Sequence, residues 1–216
     1  MREVVLVFDV EVVVDVRHLD NRHLPAVRHA IESLKAIDVT FVDGTLVHDP
    51  GVTVVATAAR DIAMDTGFEI QDGSLILPWA IERVAMKLES SGARDYLITG
   101  GGHVLSSGTP TTNDARWRVG IPDAVHGGLV TGVDVNDHAV STAIGNADEL
   151  AQVTVTGPSL VYAAAYAIAA LYLGIRGINW VKSQPMYGAH TVTKDGERLW
   201  TPEFDRVKVP TVTTAW

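Results

Sequence analysis

The stretch YLITGGGHVLSSG (96–108) constrains this chain more than any other, because three consecutive glycines, Gly100 to Gly102, close an apolar run and are followed at once by His103. Glycine has no Cβ, so such a run lets the backbone take positive φ and lets another backbone or a flat ligand approach closely. Two readings are open. The stretch is a strand carrying a bulge or sharp bend, or it is the wall of a ligand site with an imidazole on its rim.

Composition narrows the choice. At 216 residues, with 47% hydrophobic and 20% charged residues, the chain can bury a sizeable core, and one domain over 1–216 is expected. A formal charge of −9 denies it the electrostatic footprint of a nucleic-acid or anionic-membrane binder. Small-molecule or protein partners are expected, a small-molecule substrate first, with no nucleic acid and no membrane. Cysteine is absent, which removes disulfides, a thiolate nucleophile and cysteine-ligated zinc. The start, MREVVLVFDVEVVVDV, has acidic residues inside its apolar run and reads as strand, not as a signal peptide. No apolar run reaches the roughly 18 residues of a membrane span; a cytoplasmic location is expected.

Local patterning fills in the elements. Val4–Val16 reads as one strand with Asp9, Glu11 and Asp15 on a wet face. Leu24, Val27, Ala30, Ile31, Leu34 and Ile37 recur at helical spacing, Val54–Met64 gives a second helix, and Pro78 opens a third that runs to Ser90 and buries Ala80, Ile81, Val84, Ala85 and Leu88. Asp43-Gly44 marks a turn and Asn113-Asp114 a loop. Strands are expected at Trp117–Ile121, Asp137–Ala143 and Val153–Thr156, then a helix at Ser159–Leu173. A hairpin follows around Asp195-Gly196. After Pro202 the tail either pairs as a sheet edge or lies loose. The order fits an α+β domain with mostly antiparallel sheets packed with helices. The valine-rich first strand leaves an edge that a second copy, in a homodimer, could use.

Several segments line up together. YLITGGGHVLSSG, RWRVGIPDA, DHAVSTA and QVTVTGPSLVYAAAYAIAALYLG, in this order and spacing, resemble the FAD:protein FMN transferases, the ApbE family once called thiamine-biosynthesis lipoproteins. DGSLILPWAIERVAMKLESSGARDY upstream looks like that family's loop and helix, and LWTPEF like the end of its short members. The scaffold positions that match are Gly73, Arg83, Gly101, Gly102, Trp117, Arg118, Gly120, Thr142 and Gly174. The resemblance implies a T-fold-like α+β domain. It also implies enzymes that bind FAD with a divalent metal, cleave the pyrophosphate and move FMN onto a threonine of a partner flavoprotein.

Such a phosphoryl transfer needs positive charge on the developing phosphate, and the residues that supply it in the family are missing here. The resemblance aligns the metal-ligating Asp and Thr with Ala164 and Ile168, and the loop lysine and its following glycine with Leu77 and Pro78. The family's His-Ile-Ile-Asp-Pro segment is replaced by Ala147–Gln152, and the serine-rich flavin loop is shortened to about Asp43–Pro50. No metal ligand is expected.

His103 stands where the family has an acidic residue and is the first candidate for a general acid or base; it is equally readable as a satisfied structural histidine. Glu82 replaces a family aspartate and is the second catalytic candidate, its plain reading being a solvated carboxylate on the helix surface. Gly101, Gly102, Thr142, Trp79, Tyr162 and Tyr166 are the candidate ligand-binding residues, the two tyrosines lying four apart on one helical face that is readable as core or as an aromatic pocket. The leading expectation is a repurposed family member: a catalyst that needs neither cofactor nor metal and carries out a cyclisation, isomerisation or elimination on a small molecule, as in specialised metabolism. Two alternatives stand beside it, a non-catalytic protein that binds flavin (FAD) or another nucleotide, and an active FAD:protein FMN transferase with unusual ligands.

Overall fold

In the computed structural model, which describes residues 1–42, 50–111 and 115–209, the valine-rich N-terminus folds as a hairpin and not as one strand. β1 (Arg2–Val7) and β2 (Val10–Arg17) pair antiparallel with Val7 opposite Val10. The two-residue turn between them, Phe8-Asp9, has φ of 51° and 59°, as the hairpin turns compatible with strand twist require. Asp9 therefore marks a turn, while Glu11 keeps to the outer face and Val12, Val14 and Val16 are fully buried. The expected turn at Asp43-Gly44, most of the shortened loop after it and the loop at Asn113-Asp114 lie outside the described residues.

Three helices follow as patterned. α1 (Leu24–Val42) buries Val27, Ala30, Ile31, Leu34 and Ile37. α2 (Thr53–Thr66) ends on Gly67 in the left-handed region, φ 74°, with the Gly67 N–H donating to the Ala63 carbonyl, the usual way glycine stops a helix. α3 (Ile76–Ser90) buries the expected Ala80, Ile81, Val84, Ala85 and Leu88. The chain then enters β3 (Asp95–Gly100), β4 (His103–Ser107), β5 (Arg118–Pro122), β6 (Leu129–Asp134), β7 (Ala139–Ile144) and β8 (Leu150–Gly157). α4 (Leu160–Leu173) and α5 (Ile175–Lys182) precede β9 (Gly188–Thr193), β10 (Arg198–Trp200), the short α6 (Pro202–Asp205) and β11 (Lys208–Val209).

The main sheet has the order β1-β2-β3-β4-β7-β8-β9-β10, and a smaller one the order β11-β6-β5; the described pairings are antiparallel. This is the expected α+β class. The tail is not loose up to Val209, because β11 pairs with β6.

Two cores share the main sheet. One joins its strands to α1 through α5, with α4 at its centre: ten of that helix's residues, among them Ala163 to Ala167, are buried. The other lies on the opposite side, where Val104 and Val140 meet Trp117, Ile121, Val133, Val135 and Phe204 beneath the small sheet. Alternation along β4 and β7 sends neighbouring residues to opposite faces, so Leu105 and Ala139 serve the helical core while Val104 and Val140 serve the smaller one. Among the described residues no helix is long and apolar enough to cross a membrane. β1 and β10 are the two edges of the main sheet.

Candidate active site

The glycine stretch is a tight turn. Gly100 pairs with His103, leaving Gly101 and Gly102 as a two-residue connection with φ of 59° and 82°. Both angles are in the region that side chains disfavour. Packing adds a second constraint: a Cβ on Gly102 would sit 2.9 Å from the Thr142 carbonyl oxygen, and one on Gly101 2.8 Å from Leu77 Cδ2. Thr142 N–H donates to the Gly102 carbonyl at 2.9 Å, tying the turn to β7. The expectation of one strand with a bend is thus replaced by a hairpin, whose turn borders a cavity.

Around the turn is a cavity of about 640 Å³. Residues 99–104 form one side, Val119 to Pro122 of β5 and residues 140–144 of β7 the others, and Ser74 and Ile168 close it toward the helices. It spans the rim of the main sheet, from α4 on one face to the small sheet on the other. His103 is the one titratable side chain among the described lining residues.

His103 stands opposite Ser141 across β4 and β7, and its Nδ1 lies 3.0 Å from Ser141 Oγ. Ser141 is 1% exposed. Burial pushes the imidazole down to about 4, so it is neutral near pH 7. Among the described residues its Nε2 makes no hydrogen bond. Thr142 faces the other way along the strand and shares a hydrogen bond with Thr154, Oγ1 to Oγ1 at 3.0 Å. Sequence reasoning named Gly101, Gly102, His103 and Thr142; it missed Ser141, since a cross-strand partner 38 residues away leaves no local signal.

The remaining candidates lie elsewhere. Glu82 is not solvated on the helix surface: its Oε1 accepts from Ser159 Oγ (2.8 Å), from the Leu160 N–H and from the Val161 N–H (3.2 Å). It caps α4, a favourable place for a carboxylate beside unpaired N–H groups. Trp79 is buried, donating Nε1–H to the Gly51 carbonyl at 2.7 Å, with the Arg83 guanidinium 5.2 Å from its ring centroid. Tyr162 donates to Asp61 Oδ2 at 2.9 Å and meets Tyr166 edge-on. Tyr166 in turn packs edge-on against Trp180 and Tyr187, with centroids 5.1 and 4.7 Å away. This is an aromatic cluster under the helices, outside the cavity.

Residues 25–145 match the model of the ApbE family. The chain belongs to the ApbE family. Solved structures of ApbE proteins share its fold at low identity. The flavin transferase ApbE from Vibrio cholerae superposes with a TM-score of 0.76 at 11% identity, covering 96% of this chain and 98% of that one. The ApbE protein from Thermotoga maritima gives 0.73 at 13% identity, covering 97% and 99%. The flavinyl transferase ApbE from Pseudomonas stutzeri gives 0.57 at 20% identity over 64% of this chain and 54% of that one. No curated protein matches the sequence.

The cation and the flavin dinucleotide implied by the resemblance can be tested against this cavity. A hard divalent ion wants several oxygen ligands, carboxylates among them. The described lining offers serine and threonine hydroxyls, backbone and one neutral imidazole. Of the two aligned positions on α4, Ala164 is wholly buried and Ile168 presents hydrocarbon to the cavity. Among the described residues, no three His, Asp or Glu side chains are grouped to hold a metal. A pyrophosphate would likewise meet no cationic side chain in the described lining. The described lining of this cavity does not fit a divalent cation or a dinucleotide's phosphates.

Proposed function

We propose that this ApbE-family chain has exchanged cation-assisted flavin transfer for proton-transfer chemistry on a small, uncharged organic molecule. The observation that carries this is the single-histidine cavity: about 640 Å³ of mostly apolar space walled by a side-chain-free turn, with His103 its one titratable group among the described residues. A neutral imidazole bonded to Ser141 through Nδ1 is a two-sided proton carrier. If Nδ1 donates to Ser141, Nε2 is a base; if Ser141 donates to Nδ1, Nε2–H is an acid. The base would take a proton from one atom of the substrate and return it to another, giving an isomerisation or cyclisation, or leave it on a departing group in an elimination. Shape and exclusion of water supply the rest.

The decisive measurement is incubation of the purified protein with FAD and magnesium. No AMP release is expected; AMP release would restore the transferase reading and overturn this one. A positive test uses 5-nitrobenzisoxazole, a flat neutral molecule that opens when a base removes one proton. Turnover above the buffer rate is expected, lost in His103→Ala.

A second reading, a protein that binds flavin without transferring it, is favoured by the fold it shares with proteins named flavin transferases. Saturable quenching by riboflavin, without any reaction of 5-nitrobenzisoxazole, would select it.

A further inference from the structure

A second cavity, of about 420 Å³, lies between the end of β9-β10 and the small sheet, far along the chain from the glycine turn. His190, Arg198, Trp200 and Lys208 line it, with Val130 and Val209 as its apolar floor. His190 is 1% exposed, and among the described residues its Nδ1 has no hydrogen-bond partner. A buried ring nitrogen left unpaired is costly, and native structures rarely tolerate one without a role. Its ring lies nearly parallel to that of Trp200, its cross-strand neighbour, at a centroid separation of 6.3 Å and an angle of 7°. Phe204 packs against it at 5.3 Å.

Two cations face the same space. Arg198 is held by the buried Asp123, Nη2 to Oδ2 at 2.8 Å. Asp123 also accepts the His126 and Val125 backbone N–H groups, lies 3.4 Å from His126 Nδ1, and is held far below the usual carboxylate range, first by the His126 N–H. One guanidinium nitrogen is thus fixed from behind, and the rest of the planar fork is available. Lys208 pairs with the exposed Asp205 at 2.9 Å, while its Nζ lies 3.8 Å from the Trp200 ring centroid. No carboxylate is among the described lining residues. Burial, with Arg198 and Lys208 adding to it, holds His190 neutral, so an Nδ1–H donor is compatible with both neighbours.

We propose that this cavity binds a small organic anion. Its head group, a carboxylate or a phosphate monoester, is held by Arg198, Lys208 and Nδ1–H of His190, and its apolar body rests on Val130, Val209 and the indole edge of Trp200. The cavity lining thus brings together two cations, one of them a fork-shaped donor, and an imidazole with an unpaired ring nitrogen, a set that matches an oxyanion better than any neutral group. The site is independent of the cavity beside His103.

Isothermal titration of the full chain with phenyl phosphate and, separately, with benzoate tests this. Saturable one-to-one binding of at least one probe is expected, weakening as salt is raised. Lys208→Met should weaken it at least tenfold with the melting temperature unchanged. His190→Phe should abolish it while raising the melting temperature, since the unpaired nitrogen is gone. His103→Ala should leave it intact. Failure of both probes to saturate, affinity unchanged in both Lys208→Met and His190→Phe, or loss of binding in His103→Ala would each overturn the proposal.

Discussion

His103 and His190 both sit far below the ordinary histidine value, each pushed down to about 4, first by burial. The unfolded chain would take up a proton on each near pH 6.5, while the folded chain resists until about pH 4. Between those values the unfolded state binds more protons, so folding stability is complete above pH 6.5 and declines as pH falls toward 4, by up to about 1.4 kcal/mol per pH unit for each histidine. Urea unfolding at pH 7.5, 6.0 and 5.0 should show that decline, and His190→Phe should make it shallower. With His103 as the base of the proposed proton transfer, the same depression sets its pH profile: 5-nitrobenzisoxazole turnover should be flat from about pH 5.5 to 8 and fall below pH 5 as the imidazole gains its proton.

At the scale of elements, the glycine turn and the capped helix are the two features that hold the site in place. Gly102→Ala combines a φ of 82° with a Cβ 2.9 Å from a carbonyl oxygen that cannot swing away. It should cost about 1–3 kcal/mol by denaturant titration. Gly101→Ala should cost less, because its nearest neighbour is the end of the flexible Leu77 side chain. Glu82→Ala removes one acceptor from three donors at the start of α4 and should cost about 1–3 kcal/mol, with Glu82→Gln retaining part of that.

These elements differ in how far the sequence foretold them. α1, α2, α3 and α4 follow from apolar spacing with proline or glycine at their ends, and the hairpin at Asp195-Gly196 from its turn pair. The first hairpin was hidden because its positive-φ turn is Phe8-Asp9, with no glycine or asparagine to announce it. β6 was hidden by Gly132 inside a six-residue strand, and α5 by its shortness and by Gly177, which packs against the Ala170 backbone where a Cβ would clash at 2.5 Å. At the site, the glycines announced His103, yet its pairing with Ser141 depends on β4 meeting β7. Glu82 was misplaced for the same reason: its partners lie 77 to 79 residues away on another helix.

At the scale of the whole molecule, the unequal cores divide the labour. The helical core spans most of the chain, whereas the small sheet is fastened by a cluster centred on Trp117, Ile121, Val133 and Phe204. Phe204 is fully buried in that cluster, and Phe204→Ala should lower stability by about 3–5 kcal/mol. Hydrogen exchange should show where: amides of β5, β6 and β11 in the variant should exchange faster than those of β8, which is buried between β7 and β9. Uniform acceleration across both sheets would show instead that the two cores melt together. Because the glycine turn gives the larger cavity a stretch of bare wall, a guest molecule of the proposed kind would meet the side chains of Val119, Ile144 and Ile168, which line the cavity without being fully buried. None of these three side chains belongs to the turn, so a library confined to them, with Ile121 left in the smaller core, is the shortest route to a changed ligand.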